Sequence, residues 1–346
     1  MSALRVGVAG FGLAGQVFHA PLIAAVEGLE LATILTSSPE RQARARAAYP
    51  EARVVAAQDE LWDGLDLLVV AAPNRAHVPL GLAAVERGVA VVVDKPLAPS
   101  AAEAERLIEA AEGAGVPLTV FQNRRFDGDF LTLRKLVDDG VLGDLLRFES
   151  RFERFRPEVG PGWRELADAA EGGGLLLDLG AHLVDQAREL LGPPLRVYAE
   201  IDVRRPGAQV DDDVFLALEH PGGARSHLWM SAVAPLHGPR FRASGTRAGF
   251  ATDGLDPQEP QLSEGLRPGD AGYGVGQPGL VSGVGGSEEL PLERGAYERF
   301  YEAAVPWLRS GAAPPVDPLD SLAGLRVLET ARRAAATCSA IELEGA

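Results

Sequence analysis

The chain has 346 residues, a length that suggests two domains at about 150 residues each. Its 46% hydrophobic and 24% charged content is ordinary globular usage, and its net charge of −16 argues against nucleic acid or an anionic membrane as partner. No apolar run reaches the ~18 residues of a membrane span. No signal peptide precedes the first strand, and a single cysteine, Cys338, excludes an intrachain disulfide and a zinc cluster of Cys type, so the expected location is a reducing cytoplasm.

The first apolar run, Leu4 to Ala9, reads as a strand and ends in Gly10-Phe11-Gly12-Leu13-Ala14-Gly15, where a helix begins. Glycines at this spacing permit a tight turn and close backbone approach to a pyrophosphate. The helix N-terminus adds aligned N–H groups for the anion. Strand, glycine turn and helix in that order are the context a dinucleotide site requires. The next strand, Leu29 to Leu35, runs into Thr36-Ser37-Ser38-Pro39-Glu40-Arg41. A site for NAD usually holds a carboxylate here, on the ribose 2′-hydroxyl. Hydroxyls and the Arg41 guanidinium suit a 2′-phosphate instead. NADP is therefore the expected cofactor, with NAD also possible. Ser38 fits a helix N-cap as well.

Asp66 to Ala72 is a continuous apolar strand of the buried parallel kind, ending at Pro73-Asn74-Arg75-Ala76-His77. Cofactors lie at the carboxyl ends of such strands, which makes Pro73, Asn74 and His77 candidate contacts. His77 reads equally well as a capping or packing residue. A helix leads to the strand Val89 to Val93 and then to Asp94-Lys95-Pro96. A lysine at a strand end, between an acid and a proline, is poorly explained as surface charge and points to the same crevice. The Lys95-Pro96 bond is open to the cis form. A capped amphipathic helix over 100–112 and a strand over 116–121 follow, then Gln122-Asn123-Arg124-Arg125-Phe126-Asp127 and a helix over 129–139. Repeated β-α predicts a parallel sheet with helices on both faces.

After Gly143 the pattern changes. Residues 145–155 alternate like a half-exposed strand, and 157–171 form a polar loop containing Trp163 and Arg164. Gly172-Gly173-Gly174 then opens a helix through Asp178, His182 and Asp185 to Leu191. Asp178 and His182 are four apart, on one face of an otherwise apolar helix. They read either as a hydrogen-bonded core pair or as an oriented proton acceptor. The three glycines would let the backbone approach substrate. Alternating runs at 196–205, 212–219 and 224–234 predict a largely antiparallel sheet. Residues 254–288 read as one long loop, and 297–309 and 320–336 as closing helices. The expected fold is α/β. A dinucleotide-binding domain over 1–122 precedes an α+β domain over 123–317, and a last helix at about 318–336 packs back on the first.

Taken together, Gly-Phe-Gly, Asp-Lys-Pro, Gln-Asn-Arg-Arg-Phe and Gly-Gly-Gly-x-x-x-Asp-x-Gly-x-His-x-x-Asp resemble the glucose-fructose oxidoreductase/inositol dehydrogenase (Gfo/Idh/MocA) family over the whole chain. Residues 10–21, 123–132 and 154–159 resemble the branch containing NADP-dependent scyllo-inositol dehydrogenase. The resemblance implies a Rossmann domain and a catalytic set of lysine, aspartate and histidine, matching Lys95, Asp178 and His182. The family's Glu-Lys-Pro is Asp-Lys-Pro here, so Asp94 is one methylene shorter. Asn123 joins the implied cofactor contacts. Arg124 matches a substrate-site arginine, and Trp163 and His237 are further pocket candidates. The implied reaction moves a hydride between nicotinamide and a secondary alcohol or ketone of a cyclic polyol or sugar. In it His182 takes the proton, Asp178 orients His182, and Lys95 steadies the reacting oxygen. A dehydrogenase for an aldose and a non-catalytic cofactor-binding sensor are the alternatives. The resemblance also implies a homodimer or homotetramer through the open sheet face.

Overall fold

The computed structural model describes residues 2–160 and 172–343. In chain order the elements are β1 (Leu4–Ala9), a π-helical turn (Ala14–His19), α1 (Ala20–Ala25), β2 (Leu29–Leu35), α2 (Pro39–Ala48), β3 (Arg53–Val55), β4 (Leu67–Val70), α3 (His77–Val85), β5 (Ala90–Asp94), α4 (Ala101–Ala114) and β6 (Leu118–Phe121). Then come α5 (Gly128–Asp138), β7 (Leu145–Glu153), α6 (Leu175–Asp178), α7 (Gly180–Leu191), β8 (Arg196–Asp202), β9 (Asp213–Glu219), β10 (Arg225–Ser231), β11 (Phe241–Gly245) and β12 (Ala248–Thr252). The chain closes with α8 (Gln258–Glu264), β13 (Gly279–Gly283), β14 (Gly286–Leu290), α9 (Glu298–Ser310), α10 (Pro318–Thr337) and β15 (Ile341–Glu342).

The chain forms two compact units. The first comprises Met1–Phe126, Pro257–Gly274 and Ala296–Leu322. Its sheet is parallel, in the order β3-β2-β1-β4-β5-β6. The order reverses between β1 and β4, and their carboxyl ends are where this topology receives a dinucleotide. Val6, Val8, Leu67, Val69 and Val92 are fully buried, as continuous apolar strands covered on both faces should be. Part of that cover arrives late in the sequence. Phe300, Tyr301, Ala304 and Trp307 of α9, with Leu262 and Tyr273, pack into the same core as β1 and β4.

The second unit comprises Asp127–Asp256, Val275–Gly295 and Ala323–Ala346. Among the described residues its nine strands run β14-β13-β12-β11-β7-β10-β9-β8-β15. Every pairing is antiparallel except β10 on β7, which is parallel. Alternation along β9 and β10 buries Val214, Leu216, Leu218, Leu228 and Met230 on one face. The other face carries half-exposed Phe215, His227 and Trp229 in mutual ring contact.

Two expectations change here. Residues 254–288 are not one loop, since they contain α8 and most of the β13–β14 hairpin. Their Gly, Pro and acid content hides both, because β14 is an outer strand whose residues are almost all exposed and carry little apolar alternation. The helix that joins the first unit is α9, whereas α10 divides between the units at Leu322. An amphipathic pattern reveals that a helix buries a face, but not which core receives it.

Candidate active site

In the first unit the three glycines after β1 serve different needs. Gly10 has φ +109°, and a Cβ there would stand 2.4 Å from the Ala71 carbonyl oxygen. At Gly15 a Cβ would stand 2.0 Å from the Gly10 carbonyl oxygen. Both positions are closed by the protein itself. Gly12 is open, with its nearest neighbour the Arg41 guanidinium at 3.8 Å. A backbone left bare beside a guanidinium fits an approaching phosphate. Phe11 is buried edge-on against Tyr49, while Leu13 is exposed and Ala14 opens the π-helical turn.

At the end of β2 the Thr36 carbonyl accepts from Gln42 Nε2 (2.9 Å). The Ser38 hydroxyl accepts the Arg41 N–H (3.4 Å), so Ser38 caps α2. Ser37 and Arg41 are exposed. Beyond β4, Pro73 is exposed and Asn74 is buried in a short turn. His77 is buried between two carbonyls, with Nδ1 2.8 Å from Pro96 O and Nε2 2.9 Å from Ala72 O. It ties the end of β4 to the turn after β5. Burial lowers its pKa, opposed by Asp94 and the two carbonyls.

The Lys95–Pro96 peptide is cis, and Lys95 is half-buried. Its backbone N–H donates to Asp94 Oδ1 (2.9 Å). Asp94 in turn faces a fully buried histidine, His19, whose Nε2 is 3.8 Å from Oδ1. Burial pushes Asp94 up, but His19, Lys95 and His77 outweigh it and hold the carboxyl below the usual aspartate range. Asn123 is buried in the turn after β6. Arg124 donates to Tyr297 Oη (3.0 Å) and pairs with Glu259 (2.8 Å). Glu259 and Tyr297 belong to the two late segments of this unit, and no local motif marks them.

In the second unit the Asp178–His182 stretch is a broken helix. Asp178 ends α6, Leu179 has φ −99° and ψ −35°, and α7 starts at Gly180. His182 N donates to Leu179 O (3.0 Å), three residues back, so the turn between the pair is tightened. His182 is 5% exposed with Phe152 beside it, and Asp178 is half-buried. Asp178 lines a cavity of about 70 Å³ with Arg154, Arg156, Arg205 and Asp211.

Asp211 had no signal in the sequence. Its backbone oxygen accepts Leu175 N (2.9 Å), Oδ2 accepts Leu176 N (2.6 Å), and Oδ1 accepts from Arg332 (3.1 Å). It therefore caps α6 from the strand side. Gly174 has φ +95°, and a Cβ there would stand 2.4 Å from Asp211 Oδ1. The space that Gly174 leaves is taken by this cap, not by substrate. His237 is exposed in the loop before β11. Trp163 lies outside the described residues. Of the expected catalytic set, Lys95 belongs to the first unit and Asp178 and His182 to the second. Within the units the structure draws Lys95 to Asp94, which also faces His19 and His77, and Asp178 to the arginine-lined cavity.

Two family descriptions match the chain. "Oxidoreductase family, NAD-binding Rossmann fold" covers residues 4–122, and "GFO/IDH/MocA C-terminal domain" covers residues 130–251. The chain is 34% identical to a scyllo-inositol 2-dehydrogenase (NADP(+)) of Bacillus subtilis, over 99% of this chain and 97% of that one. It is 28% identical to a D-xylose 1-dehydrogenase (NADP(+)) of Haloferax volcanii, over 88% of this chain and 93% of that one. Among solved structures, an oxidoreductase from Bacillus cereus superposes with a TM-score of 0.89 at 27% identity, over 99% of both chains.

Proposed function

The chain belongs to the GFO/IDH/MocA oxidoreductase family and is an NAD(P)-dependent oxidoreductase, and on that premise we propose that it is an NADP-preferring dehydrogenase of a cyclic polyol, with scyllo-inositol as first substrate. The observation that carries the cofactor reading is the Arg41 guanidinium beside the open Gly12. No carboxylate stands at positions 36–38 to repel a 2′-phosphate. The polyol reading rests on the full-length likeness to the Bacillus subtilis enzyme. Oxidation of an aldose at C1 is the second reading, favoured by the likeness to the xylose enzyme.

Bound NADP supplies the hydride acceptor. In this reading Lys95, Asp178 and His182 do the rest. His182 takes the proton of the substrate hydroxyl, as an imidazole suits near neutral pH. Asp178 stabilises the imidazolium that forms. The Lys95 ammonium donates to the reacting oxygen and damps its developing negative charge. Asp94, held ionised, keeps a counter-charge beside Lys95.

The test is direct. Dissociation constants are measured for NADP and NAD, and turnover is followed as reduced nicotinamide on a panel of inositols and aldoses. Tighter NADP binding and turnover of an inositol are expected. Tighter NAD binding would remove the cofactor reading. Turnover of aldoses alone would move the substrate to the second reading.

A further inference from the structure

We propose that the substrate carries an anionic group, a carboxylate or a phosphate, which is seated by Arg154 and Arg156 in the cavity that Asp178 lines. The cavity belongs wholly to the second unit, and the charged residues of its wall are Arg154, Arg156, Arg205, Asp178 and Asp211. At about 70 Å³ it is too small for a sugar ring and takes one small substituent.

The local sequence Arg154-Phe155-Arg156 builds the pair. Beyond β7 the chain stays hydrogen-bonded to the segment after β10. Arg154 N donates to Ser231 O (2.8 Å), Arg156 N donates to Ala232 O (2.7 Å), and Phe155 bridges Val233. Side chains alternate along such an extended stretch, so residues 154 and 156 share one side and Phe155 takes the other. Phe155 is 56% exposed and stays out of the cavity, while both arginines line it. Two guanidiniums about 7 Å apart along one side of a strand repel each other, and an anion between them removes that cost. The third arginine has a different duty. Arg205 Nε pairs with Asp212 (2.8 Å), both buried, and Nη1 donates to the carbonyls of Arg156 and Glu158 (3.2 Å each). It fixes the backbone that carries Arg156. Asp211 is matched by Arg332 at 3.1 Å. Among the charges of the wall, that counts Arg154 and Arg156 against Asp178, a positive balance in a chain whose net charge is −16. A planar guanidinium fork suits the paired oxygens of a carboxylate or phosphate. The group is a handle and not a reactant: the C–H and O–H bonds that break lie elsewhere in the substrate.

The inference rests on the reading of Asp178 as part of the active site, and not on the choice of cofactor. Kinetics are measured on matched pairs: glucose against glucuronate, galactose against galacturonate, and myo-inositol against an inositol monophosphate. In at least one pair the anionic member is expected to have a kcat/KM higher by about tenfold or more, chiefly through KM. Added salt is expected to narrow that ratio. Arg154→Ala and Arg156→Ala are each expected to cut it by about fivefold or more, and Arg156→Lys by less, since an ammonium keeps the charge without the fork. Which pair responds tells carboxylate from phosphate. The proposal is overturned if the neutral member equals its anionic partner in every pair, or if both alanine variants keep the parent's ratio. Should Arg154→Ala fail to fold, the exposed Arg156 decides alone. Calorimetric titration of the same pairs with NADPH bound, where alcohols bind without turnover, reads the preference even if the catalytic reading fails. Turnover of inositol with no preference for an anionic member overturns this inference and leaves the polyol reading standing.

Discussion

At the scale of single residues, three glycines that look alike in sequence do three things. Gly10 and Gly15 are closed by the protein's own backbone, whereas Gly12 opens to the space beside Arg41. Substitution separates packing from binding. Gly15→Ala forces a Cβ against the Gly10 carbonyl and is expected to destabilise the fold by about 1–3 kcal/mol. Gly12→Ala meets nothing closer than 3.8 Å and is expected to melt within a degree or two of the parent. It is expected to weaken NADP binding at least tenfold, because the methyl fills the path of the phosphate. Thermal melting and cofactor titration of both variants check this, and equal cofactor affinity for Gly12→Ala and the parent would refute it. The motif at 10–15 was legible from the sequence, as was the cap at Ser38. The partners of Arg124 and His19 were not, since Glu259, Tyr297 and Tyr301 are brought in by tertiary packing alone.

At the scale of elements, the helix carrying Asp178 and His182 was expected to be continuous and is broken at Leu179–Gly180. Its first piece has four residues, too short to hold itself, so it depends on its cap. Asp211 receives two backbone N–H groups of that piece and the Arg332 guanidinium. Asp211→Ala removes the side-chain partners and leaves Leu176 N–H and Arg332 without their carboxylate. A loss of about 2–4 kcal/mol is expected, read as a lower urea midpoint with cofactor affinity unchanged. A midpoint equal to the parent's would show that the cap is not what holds α6. The pairing of Gly174 with Asp211 illustrates why the sequence misled here. A glycine's role depends on what occupies its missing side chain's place, and that occupant was 37 residues further along the chain.

At the scale of the whole molecule, acid sensitivity is shared between the units. His77 in the first and His220 in the second are both buried, and burial lowers both pKa values. His220 is satisfied as neutral imidazole, with Gly192 O 2.9 Å from Nδ1 and Ser226 Oγ 2.7 Å from Nε2. A histidine with a lowered folded pKa binds fewer protons folded than unfolded, so its contribution is intact above about pH 6.5 and is lost as pH falls below that value. Asp94, also lowered, adds a loss that begins only near and below about pH 4. The urea midpoint is therefore expected to be level from about pH 7 to 8 and to fall between pH 6.5 and 5. A midpoint that rises on acidification through that window would contradict the sign.

What the sequence determined by itself is local. Strand, glycine turn and helix are neighbours in the chain, as are Asp94, Lys95 and Pro96, and their order carries the α/β class, the dinucleotide-binding character and the family. Periodicity added the second sheet, because alternation is written residue by residue along β7, β9 and β10. Tertiary structure decided what depends on distant partners. It placed α9 in the core of the first unit, put α8 and the β13–β14 hairpin where a loop was expected, and set Asp211 under α6. It also placed Tyr301 against His19, whose other ring nitrogen faces Asp94. A side chain's neighbours across 100 or more residues follow from how whole faces pack, and no window of sequence records that choice.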